Sequence, residues 1–382
     1  MMSMTLVGQQ PNKLTNANVS DSEAESFFNS AQAAFADTAS RHGVLERSVQ
    51  IADKLIRLRF VGEAMLDQVM PPFAHLECEA NPTDWAAWNK DELAVLIWDS
   101  QSTGAATLQP PWSKDDFSPF GQVLPCSSGR YRAVYESDGR LLSMTDLAAN
   151  RAVYWARDSR LLPFHVLATP LRAILSSWLS QFGYEFAHAA AVGDGNGAVL
   201  IVGKGGSGKS STALTSLEAG LSYLSDDYCL FSAGNSPQAF GVYSTAKIFN
   251  SDRPFYPLVA NSVGSISCSA TDKRLYFLAP LVAEKLARQR PIKALLFPRI
   301  GTAEVGLRQL TAKEAFLAIA DSSSVLFPYS LGRGIGVFGD IARKIPAYSL
   351  DLGPDRGEVV KIISGLLEAP LLVPLLMEAN NR

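Results

Sequence analysis

From Ser48 to Val61 apolar and polar residues alternate, with Val49, Ile51, Leu55, Leu58 and Phe60 as the apolar members, which predicts a half-buried strand. A short helix is expected before it, around Ala24–Ala36. Leu93–Trp98 is an uninterrupted apolar run and predicts a buried strand. Tyr131–Tyr135, Leu141–Met144 and Ala152–Ala156 predict three strands of a meander. Their turns fall at Ser137-Asp138-Gly139 and Asp146–Asn150. At Pro170–Gln181 the period lengthens, with Leu171, Ile174, Leu175, Trp178 and Leu179 at helical spacing and a proline where a helix start accepts one. After Gly183 the pattern predicts strands at Glu185–Val192 and Ala198–Val202, then a helix from Lys209 to Ala219 with Gly220 placed as its cap. Strands at Leu221–Leu224, Tyr228–Phe231 and Leu295–Pro298 follow. Helices are expected at Ala312–Ala320 and from about Gly357 to Glu368.

These elements imply an α/β (α+β) chain of two parts. Residues 1–25 are polar and predict a mobile leader. Residues 26–165 predict a mainly β N-terminal domain. Residues 166–382 predict an α/β domain, since the pattern changes between about residues 160 and 183.

Composition narrows the function classes. The 382 residues carry a net charge of −3, which gives no basic excess for a nucleic-acid groove or an anionic membrane surface. The four cysteines, Cys78, Cys126, Cys229 and Cys268, lie far apart without zinc-type spacing. The N-terminus lacks the basic flank and apolar core of a secretory signal. No apolar run reaches the about 18 residues needed to cross a bilayer. The expectation is a soluble, cytoplasmic protein with no nucleic-acid or membrane partner.

One segment carries specific chemistry. Gly203-Lys204-Gly205-Gly206-Ser207-Gly208-Lys209-Ser210-Ser211 fits G-x-x-x-x-G-K-[ST] in full. The glycines let the backbone close on a phosphate chain, and its amides then form an anion nest at a helix N-terminus. Lys209 can reach the β- and γ-phosphates, and the Ser210 hydroxyl can ligate Mg²⁺. An apolar strand before the loop and an amphipathic helix after it are the context such a loop requires. ATP with Mg²⁺ is therefore the expected ligand pair.

Asp226-Asp227 ends the strand that follows the loop helix. One carboxylate can hold Mg²⁺, and the other can take a proton from an attacking hydroxyl. His188 precedes the turn that leads into the loop strand, so two antiparallel strands would bring it to the phosphates.

Together His188, the loop, Gly220 and Asp226-Asp227 resemble, in order and spacing, the catalytic domain of the HPr kinase/phosphorylase family over about residues 183–232. The resemblance implies a phosphoenolpyruvate-carboxykinase-like P-loop kinase fold and serine phosphorylation of a peptide or protein. It makes Asp226 the general base, gives Asp227 and Ser210 to Mg²⁺, and places His188 beside the acid. It also implies that Lys247 and Arg274 are basic residues at the phosphates, and relatives of this kind form homo-oligomers.

The family's Glu-Val-Arg-Gly-Leu-Gly-Ile-type segment is missing after the acid pair, and GlyArgGlyIleGlyVal at 332–337 lies too late to replace it. Phosphorylase activity and HPr as substrate are therefore not expected. The layout is closer to HPr-kinase-like proteins of lasso-peptide pathways, which phosphorylate the C-terminal serine of a precursor peptide. The β-rich N-terminal part would then dock the peptide, by strand addition. Two alternatives stand beside this: a P-loop ATPase or nucleotide-binding regulator with no phosphoacceptor, and an HPr-type protein kinase. An Asn-Lys-x-Asp guanine motif and a transporter-type signature are both absent.

Overall fold

The computed structural model describes residues 21–79, 91–126, 129–136, 140–260, 265–268, 271–301, 303–323 and 331–369. Most of the leader, the turn at 137–139 and the C-terminal apolar segment lie outside them. The chain is mixed α/β, built on three sheets.

The first sheet has six strands in the order Leu45–Ile51, Lys54–Phe60, Glu92–Asp99, Arg151–Ala156, Leu141–Asp146, Tyr131–Glu136. Its two central pairings are parallel and the outer three antiparallel. The alternating segment expected as one strand is a tight hairpin. Ala52 turns at φ 54° and Ile51 pairs with Lys54. The turn carries neither Gly nor Asn, the residues that normally announce a left-handed position, so the alternation runs through it unbroken. One face of this sheet packs under the helix Asp21–His42, longer than the expected Ala24–Ala36, through Phe27, Phe28 and Phe35 against Trp98 and Trp155.

The other face packs Ile56, Leu58, Val95 and Tyr154 against the helix Arg172–Leu179 and on to Phe186, Leu230 and Tyr243. A single apolar core therefore spans the two halves of the sequence. The helix begins after Leu171, which sits at φ 58°, so Pro170 lies outside it rather than in its first turn. Trp178 is fully buried and its indole N–H donates to Asn150 Oδ1 at 2.8 Å. That bond removes the cost of burying an unmatched donor.

The second sheet has nine strands. Ala189–Gly193 runs antiparallel to Ser222–Ser225 on one side and to Ala198–Val202 on the other. The 12-residue strand Gln289–Ile300 then joins two neighbourhoods. Its first residues pair with Gln238–Phe240, and its last lie parallel to Ala198–Val202 and Ala347–Leu352. Helices Ala312–Ser323 and Leu331–Lys344 cover one face, and Lys209–Glu218 and Arg356–Glu368 the other. The glycine-containing stretch 332–337 belongs to Leu331–Lys344, a helix that the sequence pattern does not announce. A three-stranded sheet of Thr245–Phe249, Lys273–Phe277 and Ile266–Cys268 stands beside the helix Lys209–Glu218.

Candidate functional site: a phosphate loop facing a buried acid pair

The loop joins the C-terminal end of Ala198–Val202 to the N-terminus of Lys209–Glu218. Three neighbouring strands end on the same side, which is where parallel sheets place their ligands. Gly208 caps the helix at φ 100°. Its hydrogen is also a packing requirement, because a Cβ there would meet Leu352 Cδ1 at 2.3 Å. The Lys209 side chain is buried and folds back so that its ammonium donates to the carbonyls of Gly203 at 2.6 Å and Lys204 at 3.0 Å. Burial lowers the Lys209 pKa, against the pull of Asp226 and Asp227. Lys204 points outward and pairs with Asp321 on a neighbouring helix at 2.7 Å. Ser207 has a buried hydroxyl with no hydrogen-bond partner among the described residues.

The strand expected over Glu185–Val192 is broken at His188. Tyr184–Ala187 pairs with Cys229–Ser232, whereas Ala189–Gly193 pairs with Ala198–Val202. At the break the His188 N–H donates to Ser323 Oγ at 3.0 Å, and its carbonyl accepts from Gly203 N–H at 3.5 Å. The Ala189–Val202 register sets the histidine beside the first loop glycine. Burial, with Lys209 adding to it, pushes the His188 pKa down to about 4, so its ring is neutral near pH 7.

Asp226 and Asp227 leave the strand Ser222–Ser225 in a tight elbow. Asp227 takes φ 63°, a left-handed conformation that aspartate tolerates better than most residues. The elbow is tied by Tyr228 N–H to Asp226 O at 2.8 Å and by Ser225 Oγ to Tyr228 O at 2.8 Å. The two carboxylates meet different partners. Asp226 is buried, hydrogen-bonded by Ser210, and its pKa is raised to about 6 by burial and by its acidic neighbour. Asp227 forms an ion pair with Lys247 and lies 3.9 Å from His188 Nε2. The lysine outweighs burial there and holds the Asp227 pKa down.

The structure thus brings Gly203–Ser211, His188, Lys209, Asp226, Asp227 and Lys247 together. It does not bring Arg274 to them. Arg274 pairs across from Ile248, whose side of the small sheet faces the apolar core, and its guanidinium binds Asn250 Oδ1 and Ser265 Oγ. Its neighbour Lys273 stands on the opposite side, diagonal to Lys247, with its ammonium 4.4 Å from the Phe249 ring centre. Lys273 acts electrostatically on Lys209. It has no carboxylate partner among the described residues. The signal that separates the two is strand alternation, which needs the pairing register to be used.

No family model matches the chain, and no characterised protein matches it in sequence. Among solved structures it is similar to the Hpr(Ser) kinase/phosphatase from Coxiella burnetii, at 12% identity over 48% of this chain and 93% of that one, with a TM-score of 0.25. A likeness that low establishes neither a common fold nor a common activity. No helix among the described residues is long and apolar enough to cross a membrane.

Proposed function

We propose that the chain is an ATP- and Mg²⁺-dependent kinase that transfers the γ-phosphate to a serine of a peptide or protein. The observation that carries this reading is the meeting of the loop, Lys209 and Lys247 with a buried acid pair at one end of the sheet. A triphosphate fits the residues present. Among the described residues the Lys209 ammonium is bonded only to backbone carbonyls, and the buried Ser207 hydroxyl has no partner. Both would be better satisfied by phosphate oxygens.

Mg²⁺ fits as well. It prefers one or two protein oxygens together with substrate phosphates and water. Among the described residues no cluster of three or more His, Cys, Asp or Glu side chains could hold a metal alone. When bound, Mg²⁺ would neutralise charge on the phosphates. Ser210 and Asp227 would hold it, and Asp226 would accept the proton of the attacking serine hydroxyl. His188, neutral, would orient the Asp227 carboxylate, and Lys247 would hold that carboxylate in place. A second assignment is favoured by the hydrogen bond between Ser210 and Asp226. It puts Asp226 on the metal side with Ser210, and leaves Asp227 with His188 towards the acceptor.

The serine acceptor, and the C-terminal serine of a lasso-peptide precursor in particular, rests on the sequence resemblance alone. The end strands of the six-stranded sheet, Leu45–Ile51 and Tyr131–Glu136, are bridged at Val49 by Glu77 and at Val134 by Gln122, so peptide addition would use the remaining length of either edge. The test is incubation with γ-labelled ATP, Mg²⁺ and serine peptides encoded beside the gene, followed by mass spectrometry. A phosphoserine product supports the kinase reading. Release of inorganic phosphate with no phosphopeptide would instead make the chain a nucleotide hydrolase without an acceptor. Absence of nucleotide binding would remove both.

A further inference from the structure

The elbow that carries the acid pair is intrinsically unfavourable. A left-handed φ costs even an aspartate some backbone strain, and the half-buried Asp227 carboxylate adjoins the buried one of Asp226, which repels it. Something must hold it, and the contacts that do so reach into the other half of the molecule. Tyr228, the residue after the pair, receives a hydrogen bond on its hydroxyl from Arg172 Nη1 at 2.9 Å. The same guanidinium lies 5.0 Å from the centre of the Tyr228 ring. Arg172 Nη2 is in turn 3.6 Å from Glu136 Oε1, at the end of a strand of the six-stranded sheet, and His165 Nε2 is 3.7 Å from Glu136 Oε2. On its far side the Tyr228 ring packs against His188 at 5.9 Å between centres, and His188 faces Asp227. The chain of contacts Glu136, Arg172, Tyr228, His188 and Asp227 is continuous and mostly shielded from water.

We infer that Glu136 and Arg172 are positioning residues that fix the Asp226–Asp227 elbow through the Tyr228 hydroxyl. Arg172 is the coupling piece because one of its nitrogens faces Glu136 on the six-stranded sheet while another donates to the Tyr228 hydroxyl, next to the strand Cys229–Ser232. Its charge is neutralised by Glu136, so its other nitrogen is committed to the tyrosine rather than to solvent. Removing the Glu136 charge frees the guanidinium to turn away, and removing the Tyr228 hydroxyl cuts the link at its other end. The N-terminal sheet therefore has a direct mechanical hold on the acid pair. The value of that hold for phosphotransfer rests on the function proposed above, but the hold itself does not.

The experiment uses the full chain and its variants Tyr228→Phe, Glu136→Gln and the two combined. Hydrogen exchange is followed in the peptide spanning residues 222–229, with 198–202 as internal control, and Mg·ATP affinity is measured by calorimetry on the same samples. Loss of a hydrogen bond to a charged donor predicts that each single variant exchanges about tenfold faster at 222–229, with the control unchanged. If Glu136 acts through Tyr228, the double variant exchanges no faster than Tyr228→Phe. Unchanged exchange at 222–229 in either single variant, or additive effects in the double, overturns the inference. Faster exchange in the variants, together with a wild-type chain that binds no Mg·ATP, would uphold the clamp and overturn the nucleotide reading. Glu136→Gln keeps the shape of the side chain, so it tests the clamp even if Tyr228→Phe loosens the surrounding core.

Discussion

A graded glycine series tests whether the loop is held by packing or merely permitted by flexibility. Gly208 is at φ 100°, and an added Cβ would lie 2.3 Å from Leu352 Cδ1 and 3.3 Å from Ile300 Cγ2. Gly206 is at φ 82° but faces open space, and Gly205 has neither a positive φ nor a neighbour within 4 Å. Alanine at a left-handed position costs about 1–2 kcal/mol from backbone strain. Overpacking adds about 1–3 kcal/mol. The Leu352 methyl is the end of a flexible side chain, so the lower part of that range applies. Gly208→Ala should therefore cost about 3 kcal/mol, counting both contributions. Gly206→Ala should cost about 1 kcal/mol from strain alone. Gly205→Ala should stay within about 0.5 kcal/mol of wild type.

Urea unfolding of the three variants against wild type gives the order directly. If the loop relaxes locally instead of weakening the whole fold, the same energy appears in ligand binding. About 3 kcal/mol corresponds to about a hundredfold weaker Mg·ATP binding by calorimetry. Equal behaviour of Gly205→Ala and Gly208→Ala in unfolding would refute the packing argument. So would a Gly208→Ala chain that both unfolds and binds like wild type.

The two assignments of the acid pair separate in a Mg²⁺ titration of ATP binding: the Asp→Asn change at the metal-holding position raises the Mg²⁺ requirement about tenfold or more, and the change at the other position lowers transfer with Mg²⁺ dependence intact. Lys273→Gln should weaken ATP binding about fivefold at low salt with a smaller effect at high salt, whereas Arg274→Gln should leave it within about twofold; equal effects would mean that strand alternation does not select the cation. Glu136 has its folded pKa lowered, because His165 and Arg172 together outweigh burial. The stability it contributes is therefore fully present above its unfolded pKa and is lost as pH falls through the folded one. Glu136→Gln should flatten the acid side of the stability profile, and an unchanged acid limb in urea unfolding would contradict the pairing.

Much of the candidate site was legible in the sequence because it is local. The loop, the strand before it and the helix after it are contiguous, and Gly208, Lys209 and Ser210 act within one turn of each other. The acid pair sits a fixed strand length beyond, so its place was legible too. The approach of His188 followed from a hairpin, whose register is set by the short turn between Gly193 and Ala198. The break at His188 was not legible, since alanines on both sides look alike whether they join one sheet edge or two. The hairpin at Ala52 was hidden because its left-handed residue is not one of those that signal a turn.

What the sequence by itself determined is the chemistry available: a glycine-rich loop of phosphate-binding pattern, a lysine, a hydroxyl and two acids. Only the tertiary structure decided which other residues join them. Lys273 rather than Arg274 lies on the face of the small sheet that carries Lys247, because a strand shows alternate residues to opposite faces and pairing fixes which residues share a face. Likewise Glu136 and Arg172 lie far from the loop in sequence, and they reach the acid pair only because one apolar core packs the six-stranded sheet against the helix Arg172–Leu179. Non-adjacent side chains come together through burial, which depends on the whole fold and leaves no local mark in the chain.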